Sequence, residues 1–370
     1  MSISKTGRKQ ITIVCCCVVI AAGGYSAFVG IRNFISPKES LSHDDILQTP
    51  ELKVDAKDLK HTIVVPHLEQ AIDGDKNVLW CATFQLCWDK IIEDFAPRLR
   101  TLKEPVMVAS LNKSLVSRND HDPDSYVVHS GYMSAGFIKE VEKALDKKFH
   151  GCASPDLLYR IRREVGDGNW GAYSYLFKQL PFEHKFNRMR EGLQFDGKSV
   201  KCFGIDQYSD GREWKLAKQI KVWNYGGADD LVVELVTTSN TDRLILAKVK
   251  PEGTLLDTIQ SVKIKADTEK SESLEPSASL KVPILNFDVF RCYHELLETA
   301  RLYAVQQTRF RLDETGAFLK SEAGGIGGAM LEPKHLIFDK PFLIMIQRAG
   351  ADMPYFAFWV ANAELLVPFE

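Results

Sequence analysis

Excess charge is missing from this chain. Its 47 lysines and arginines nearly balance 49 aspartates and glutamates, leaving a formal net charge of -2. No global field draws such a protein to nucleic acid, and no zinc knuckle, helix-turn-helix signature or basic run supplies a local one. Signatures of metal and phosphate chemistry are missing as well: there is no HExxH, no DxDxDG, no Walker loop and no CxxC. Gly324-Gly325-Ile326-Gly327-Gly328 is glycine-rich but is not followed by Lys-Ser/Thr. It reads as flexible chain rather than a phosphate cradle. No cofactor or metal is implied. There are no internal repeats. What remains is an ordinary globular composition, 45% hydrophobic and 26% charged, in 370 residues. That length allows one large domain or two smaller ones.

The one long apolar run lies near the amino terminus. Residues 11–31, ITIVCCCVVIAAGGYSAFVGI, carry no charge. As a helix rising about 1.5 Å per residue they would span roughly 30 Å, the thickness of a hydrocarbon core. Lys5, Arg8 and Lys9 precede the run, while Glu39, Asp44 and Asp45 follow Arg32. The positive-inside rule then makes residues 1–10 cytoplasmic, 11–31 a transmembrane anchor and the rest extracytoplasmic. A cleaved signal peptide is the alternative, with Ala21-Ala22-Gly23-Gly24 and Ser26-Ala27 as cleavage-prone stretches. The apolar run continues past these residues, which favours the anchor. Residues 32–60, polar and acidic with Pro37 and Pro50, read as a stalk. Residues 61–370 then form the body.

Eight cysteines are present. Cys15, Cys16 and Cys17 fall in the apolar run. Cys81, Cys87, Cys152, Cys202 and Cys292 are odd in number and read mainly as small buried hydrophobes. A Cys81–Cys87 or Cys202–Cys292 disulfide is left open.

Periodicity predicts helices through Phe84, Trp88 and Phe95 up to Pro97, through Phe137, Val141, Leu145 and Phe149 up to a Gly151 cap, from Ser154-Pro155 to Gly166, and around Leu256, Ile259 and Val262. Strands are expected over 106–111, 199–205, 231–236, 244–249, 280–287, 304–312, 338–346 and 355–360. Helices dominate the first half and strands the second without regular crossovers, so the fold class is α+β with mixed sheets. Residues 317–337 hold no long apolar run, and a connection of that length inside a compact domain is usually functional or disordered. Gly131-Tyr132-Met133-Ser134-Ala135-Gly136 suggests a nucleophile elbow but has one residue too many before the serine. A secreted hydrolase using Ser134 and His129 is therefore only a third choice.

The segment from Ala304 to Asn362 resembles the carboxyl-terminal part of serpins. Asp313-Glu314-Thr315-Gly316 stands where that family has its Asp/Asn-Glu-x-Gly hinge. Phe338-Asp339-Lys340-Pro341-Phe342 is similar to the return strand, and Phe356, Val360 and Asn362 to the closing motif. Met330 lies fourteen residues beyond Gly316 and seven residues separate it from Phe338, as the family spaces its bait residue. Weaker likeness runs through Asn77–Trp80, Tyr175–Lys178 and 231–287.

The resemblance implies a serpin-like α+β fold with an exposed reactive loop, and no enzymatic activity. It implies a hinge of Glu314, Thr315, Gly316 and Ala317, a bait bond Met330–Leu331, and a return strand holding Phe338, Pro341 and Phe342. The partner implied is a serine protease with an apolar primary pocket. In the family's inhibitory mechanism the cleaved loop inserts as a new central strand. Here Ala317, Leu319, Ser321 and Ala323 would face the core, while Phe318, Lys320 and Glu322 would face solvent. Several positions depart from the family pattern. Gln306 replaces a usual histidine, Cys81-Ala82-Thr83-Phe84 replaces Ser-Pro-x-Ser, and Phe182 replaces a tryptophan. These positions govern sheet opening, so a non-inhibitory interaction module on the same fold is the alternative to a protease inhibitor.

Overall fold

The computed structural model describes residues 12–21, 50–103, 105–206, 213–267, 270–274, 278–300, 302–315 and 334–369. A six-stranded sheet contains β1 (Thr12–Ala21), β2 (Leu52–Asp55), β5 (Tyr126–Tyr132), β6 (Trp170–Gln179), β16 (Leu285–Cys292) and β17 (Leu302–Leu312), in the order β2-β16-β17-β1-β6-β5. An eight-stranded sheet runs β14 (Glu272–Ser273), β11 (Ile220–Gly227), β12 (Asp230–Leu235), β13 (Asp242–Lys248), β19 (Phe342–Arg348), β20 (Phe356–Val360), β4 (Asn77–Cys81), β3 (Thr62–Val65). The third sheet has four strands, β18 (His335–Ile337), β15 (Ser279–Pro283), β10 (Cys202–Ile205) and β7 (Asn187–Arg188). A hairpin joins β8 (Leu193–Phe195) to β9 (Lys198–Val200). Its Asp196-Gly197 turn takes φ values of 49° and 70°, which the right-handed twist of a two-residue hairpin requires.

The helices are α1 (Thr83–Asp94), α2 (Val106–Asn112), α3 (Ala135–Phe149), α4 (Asp156–Val165), α5 (Glu213–Ala217), α6 (Leu255–Ala266) and α7 (His294–Ala300). Helix α1 packs against β1 and β6, and α4 packs against β1. Alternation along β6 and β17 separates the two faces of the six-stranded sheet. Ala172 and Ala304 join Phe84 and Trp88 of α1, whereas Tyr173, Tyr175 and Val305 join the apolar stripes of α3 and α4. Both faces of the sheet's centre are therefore covered.

The α+β organisation agrees with the sequence reading, and several details depart from it. Residues 106–111 form helix α2 rather than a strand. Pro105 sits at its amino-terminal cap, where its missing N–H costs nothing, and Val108 and Leu111 bury one face at a spacing of three. The strand expected over 280–287 breaks at Ile284 into β15 and β16, which belong to different sheets. Phe338 and Pro341 precede β19 instead of lying in it, since proline cannot donate to a ladder. Helix α3 ends on His150 in the left-handed region at φ 51°, one residue before the expected Gly151.

Two departures concern the amino-terminal third. Leu52–Asp55, assigned to the stalk, pairs in parallel with β16 and belongs to the body. Thr12–Ala21, assigned to a membrane helix, is a strand; residues 22–31 lie outside the described residues. Thr12, Ile13, Val14, Val18, Val19 and Ile20 are β-branched, and such residues pack well on a pleated surface. Among the described residues, no helix is long and apolar enough to cross a membrane. Cys87, Cys152, Cys202 and Cys292 are free thiols, so neither disulfide left open by the sequence is made.

Candidate hinge and central strand position

Strand β17 carries the chain to the hinge. Its last residues alternate inward through Phe310 and Leu312, both fully buried. At Asp313 the ladder stops because the side chain captures its own backbone. Asp313 Oδ1 accepts from the Thr315 N–H (2.9 Å) and hydroxyl (2.6 Å), an Asx-type turn, while Arg311 Nε donates to Oδ2 (2.6 Å). Glu314 is only 4% exposed. Arg188 donates to Glu314 Oε2 from Nε (3.0 Å) and Nη2 (2.9 Å), and Lys185 Nζ lies 3.4 Å from Oε1. The Phe186 N–H donates to the Glu314 carbonyl (3.0 Å). Glu314 is thus pinned to the segment after β6, by partners that sequence reading did not connect to it. Gly316, Ala317, Met330 and Leu331 lie outside the described residues.

The chain re-enters at Lys334. Strand β18 pairs in parallel with β15, and the Ser279 hydroxyl lies 2.9 Å from His335 Nδ1. The Phe338 N–H donates to the Lys281 carbonyl (2.9 Å). Phe338 is buried with its ring centroid 5.1 Å from that of Phe342 at a 58° tilt, and Phe342 also meets Phe195. Lys248 Nζ ties the return segment to β13 by donating to the Ile337 carbonyl (2.9 Å) and to Asp339 (2.6 Å). The chain therefore leaves the six-stranded sheet at Thr315 and rejoins at a different sheet.

A second constellation lies beneath the centre of β17. Gln306 is 1% exposed. Its Oε1 accepts from the Tyr293 hydroxyl (2.7 Å), and its Nε2 donates to Thr83 Oγ1 (3.1 Å) and to the Cys81 carbonyl (3.4 Å). Two of the departures marked in the sequence, Gln306 and the Cys81–Phe84 stretch, thus meet in one network. The Ser174 hydroxyl of β6 donates to the Thr83 carbonyl (2.7 Å), so the start of α1 is tied to the strands on either side of β1. Lys178, at the end of β6, is buried between Asp122 (2.8 Å) and Asp242 (2.9 Å), and Asp242 also accepts from the Tyr355 hydroxyl (3.0 Å). Burial pushes Asp122 up, but the lysine and the Asp124 N–H outweigh it and the net direction is down.

β1 occupies the middle of this sheet. It runs antiparallel to β17, from Ile13 opposite Phe310 to Ala21 opposite Leu302, and antiparallel to β6, from Thr12 opposite Gln179 to Ile20 opposite Gly171. Cys17 stands between Gln306 and Ser174, its side chain is fully buried, and its carbonyl accepts from the Cys87 thiol (3.3 Å). The face expected to be open to solvent for an inserted strand is covered here by α3 and α4. Ser134 and His129 form no hydrolase pair. The Ser134 hydroxyl caps α3 by accepting from the Phe137 N–H (3.1 Å), and burial lowers the basicity of His129.

No family model matches the sequence, and no curated protein matches it. Solved structures do. Serpin48, a highly specific serpin of the insect Tenebrio molitor, is 13% identical with a TM-score of 0.35; the match covers 74% of this chain and 86% of that one. Maspin is 10% identical with a TM-score of 0.45, over 77% of this chain and 92% of that one. The chain is similar to these serpins over about three quarters of its length, at low identity.

Proposed function

We infer that the protein engages a serine protease through the connection 316–333, with Met330–Leu331 as the bond presented and an apolar primary pocket as its receptor. The observation that supports this reading is the path of the chain. It leaves one sheet beside a pinned Glu314 and rejoins another at β18, and such a span suits a segment offered to a protease cleft. Met330 carries no charge, so chymotrypsin-like and elastase-like enzymes are the class addressed. Incubation with both enzymes tests it. A single cut at Met330–Leu331 or an SDS-resistant complex agrees; indifferent cutting along the chain refutes it.

A second reading, a non-inhibitory interaction module, is favoured by one observation. The central sheet position is held by β1, and Gln306 locks the neighbouring strand to Thr83. On this reading the protease cuts the connection and departs.

A further inference from the structure

We propose that residues 12–21 are an internal ligand of the six-stranded sheet, a plug that occupies the gap between β6 and β17 and bars every other strand from it. The inference deepens the protease reading, on which it rests only for the identity of the rival strand, the connection downstream of Thr315.

Direction comes first. A segment folding back from the end of β17 would run antiparallel to it, in the direction that β1 runs. It would need the same N–H and C=O groups of β17 that β1 engages from Phe310 to Leu302. It would also need the β6 groups engaged from Gln179 to Gly171. The two arrangements exclude each other.

Composition decides which strand the gap prefers. α1 covers one face of the sheet's centre and α3 and α4 cover the other, so the gap is a central position flanked by helices on both sides. Strands at such positions are continuously apolar rather than alternating. TIVCCCVVIA has no charge, no glycine and no proline. The rival stretch after Gly316, AFLKSEAGGIGG, sets Lys320 and Glu322 against a covered face and spends four glycines on a strand that gains little from them. The plug is also the sole strand described with a carbonyl bonded to the Cys87 thiol of α1, which seats it against the helix.

Two variants of the full chain test the plug. Cys15 lies directly opposite Thr308, and opposed residues of antiparallel strands have Cα separations that a disulfide accepts. Thr308→Cys is expected to form a bond to Cys15 in the folded protein under oxidising conditions, read as a linked peptide by mass spectrometry. Failure of that link to form overturns the placement. Val18→Pro removes a ladder donor at the middle of β1 and loosens the plug. Each protein is then cut once within 316–333, by whichever protease does so cleanly, and melted.

Oxidised Thr308→Cys should keep its Tm within about 2 °C on cutting. The same protein reduced should behave alike, since an unaltered β1 still fills the gap, whereas Val18→Pro should rise by at least about 10 °C as the freed strand completes the sheet. A rise in Thr308→Cys, linked or reduced, overturns the proposal, and so does no rise in Val18→Pro. Complex formation with a protease is not needed for any of these readings, so the plug and the protease reading fail separately.

Discussion

Gln306→Ala is expected to lower the stability of the body by about 2–5 kcal/mol. The side chain is fully enclosed, and its amide serves three groups: the Tyr293 hydroxyl at 2.7 Å, Thr83 Oγ1 at 3.1 Å and the Cys81 carbonyl at 3.4 Å. Truncation removes the acceptor of one buried hydroxyl and a donor shared by two oxygens. A buried polar group that loses its partner costs about 1–3 kcal/mol, and the lost volume adds to that. For a body of roughly 300 residues, ~2.1 cal/mol/K per residue converts 3 kcal/mol into about 5 °C of Tm. Urea unfolding with an unchanged m-value is the assay. Gln306→His sharpens the test. A neutral imidazole accepts from Tyr293 and donates to Thr83, so this variant should approach the parent at pH 8. Once protonated it has two donors and no acceptor for the Tyr293 hydroxyl, so it should fall to the level of Gln306→Ala at pH 5. An alanine variant within about 0.5 kcal/mol of the parent, or a histidine variant with the parent's pH profile, would refute the network.

Three further outcomes are expected. Lys178→Met leaves Asp242 buried without its counter-charge and should cost about 3–5 kcal/mol in urea unfolding; adding Asp242→Asn should recover part of the loss in a double-mutant cycle. Glu314→Gln removes the charge that holds Arg188 and Lys185, costing about 1–3 kcal/mol, and should speed limited proteolysis just after Thr315; an unchanged cleavage rate would separate the hinge from these partners. Burial lowers the pKa of both His67 and His121, so the unfolded chain binds their protons first. Stability is then fully present above about pH 6.5 and is lost as pH falls through the folded-state values, so Tm should drop between pH 7 and 5, and by less in His121→Gln.

The strands and helices with clean periods were legible without coordinates. β17, β20, α1 and α4 fall where their apolar spacing and breakers put them, because burial on one side imposes that spacing. The end of β17 before Asp313-Glu314-Thr315 was legible, since a short polar break follows the strand. The partners of Glu314, Arg188 and Lys185, were not, because an ion pair between segments more than a hundred residues apart leaves no local mark. Residues 106–111 misled because the short run Val-Met-Val-Ala-Ser-Leu satisfies both periods; Pro105 was the overlooked signal. The run 11–31 misled for a deeper reason. A membrane helix and a strand buried on both faces demand the same uncharged composition, and only the density of β-branched residues in 12–20 separates them.

The break at Ile284 joins two sheets through a single residue. Ile284 donates its N–H to the Lys201 carbonyl (2.8 Å) and accepts from Val367 (2.9 Å), so the joint is clamped from both sides. On one side of it β16 pairs with β17, the strand that leads into the hinge; on the other β15 pairs with β18, where the chain returns. Departure and arrival points are consequently levers on one fulcrum. Any shift of β16 within the six-stranded sheet would therefore bear on β15 and its partner β18 through that one residue.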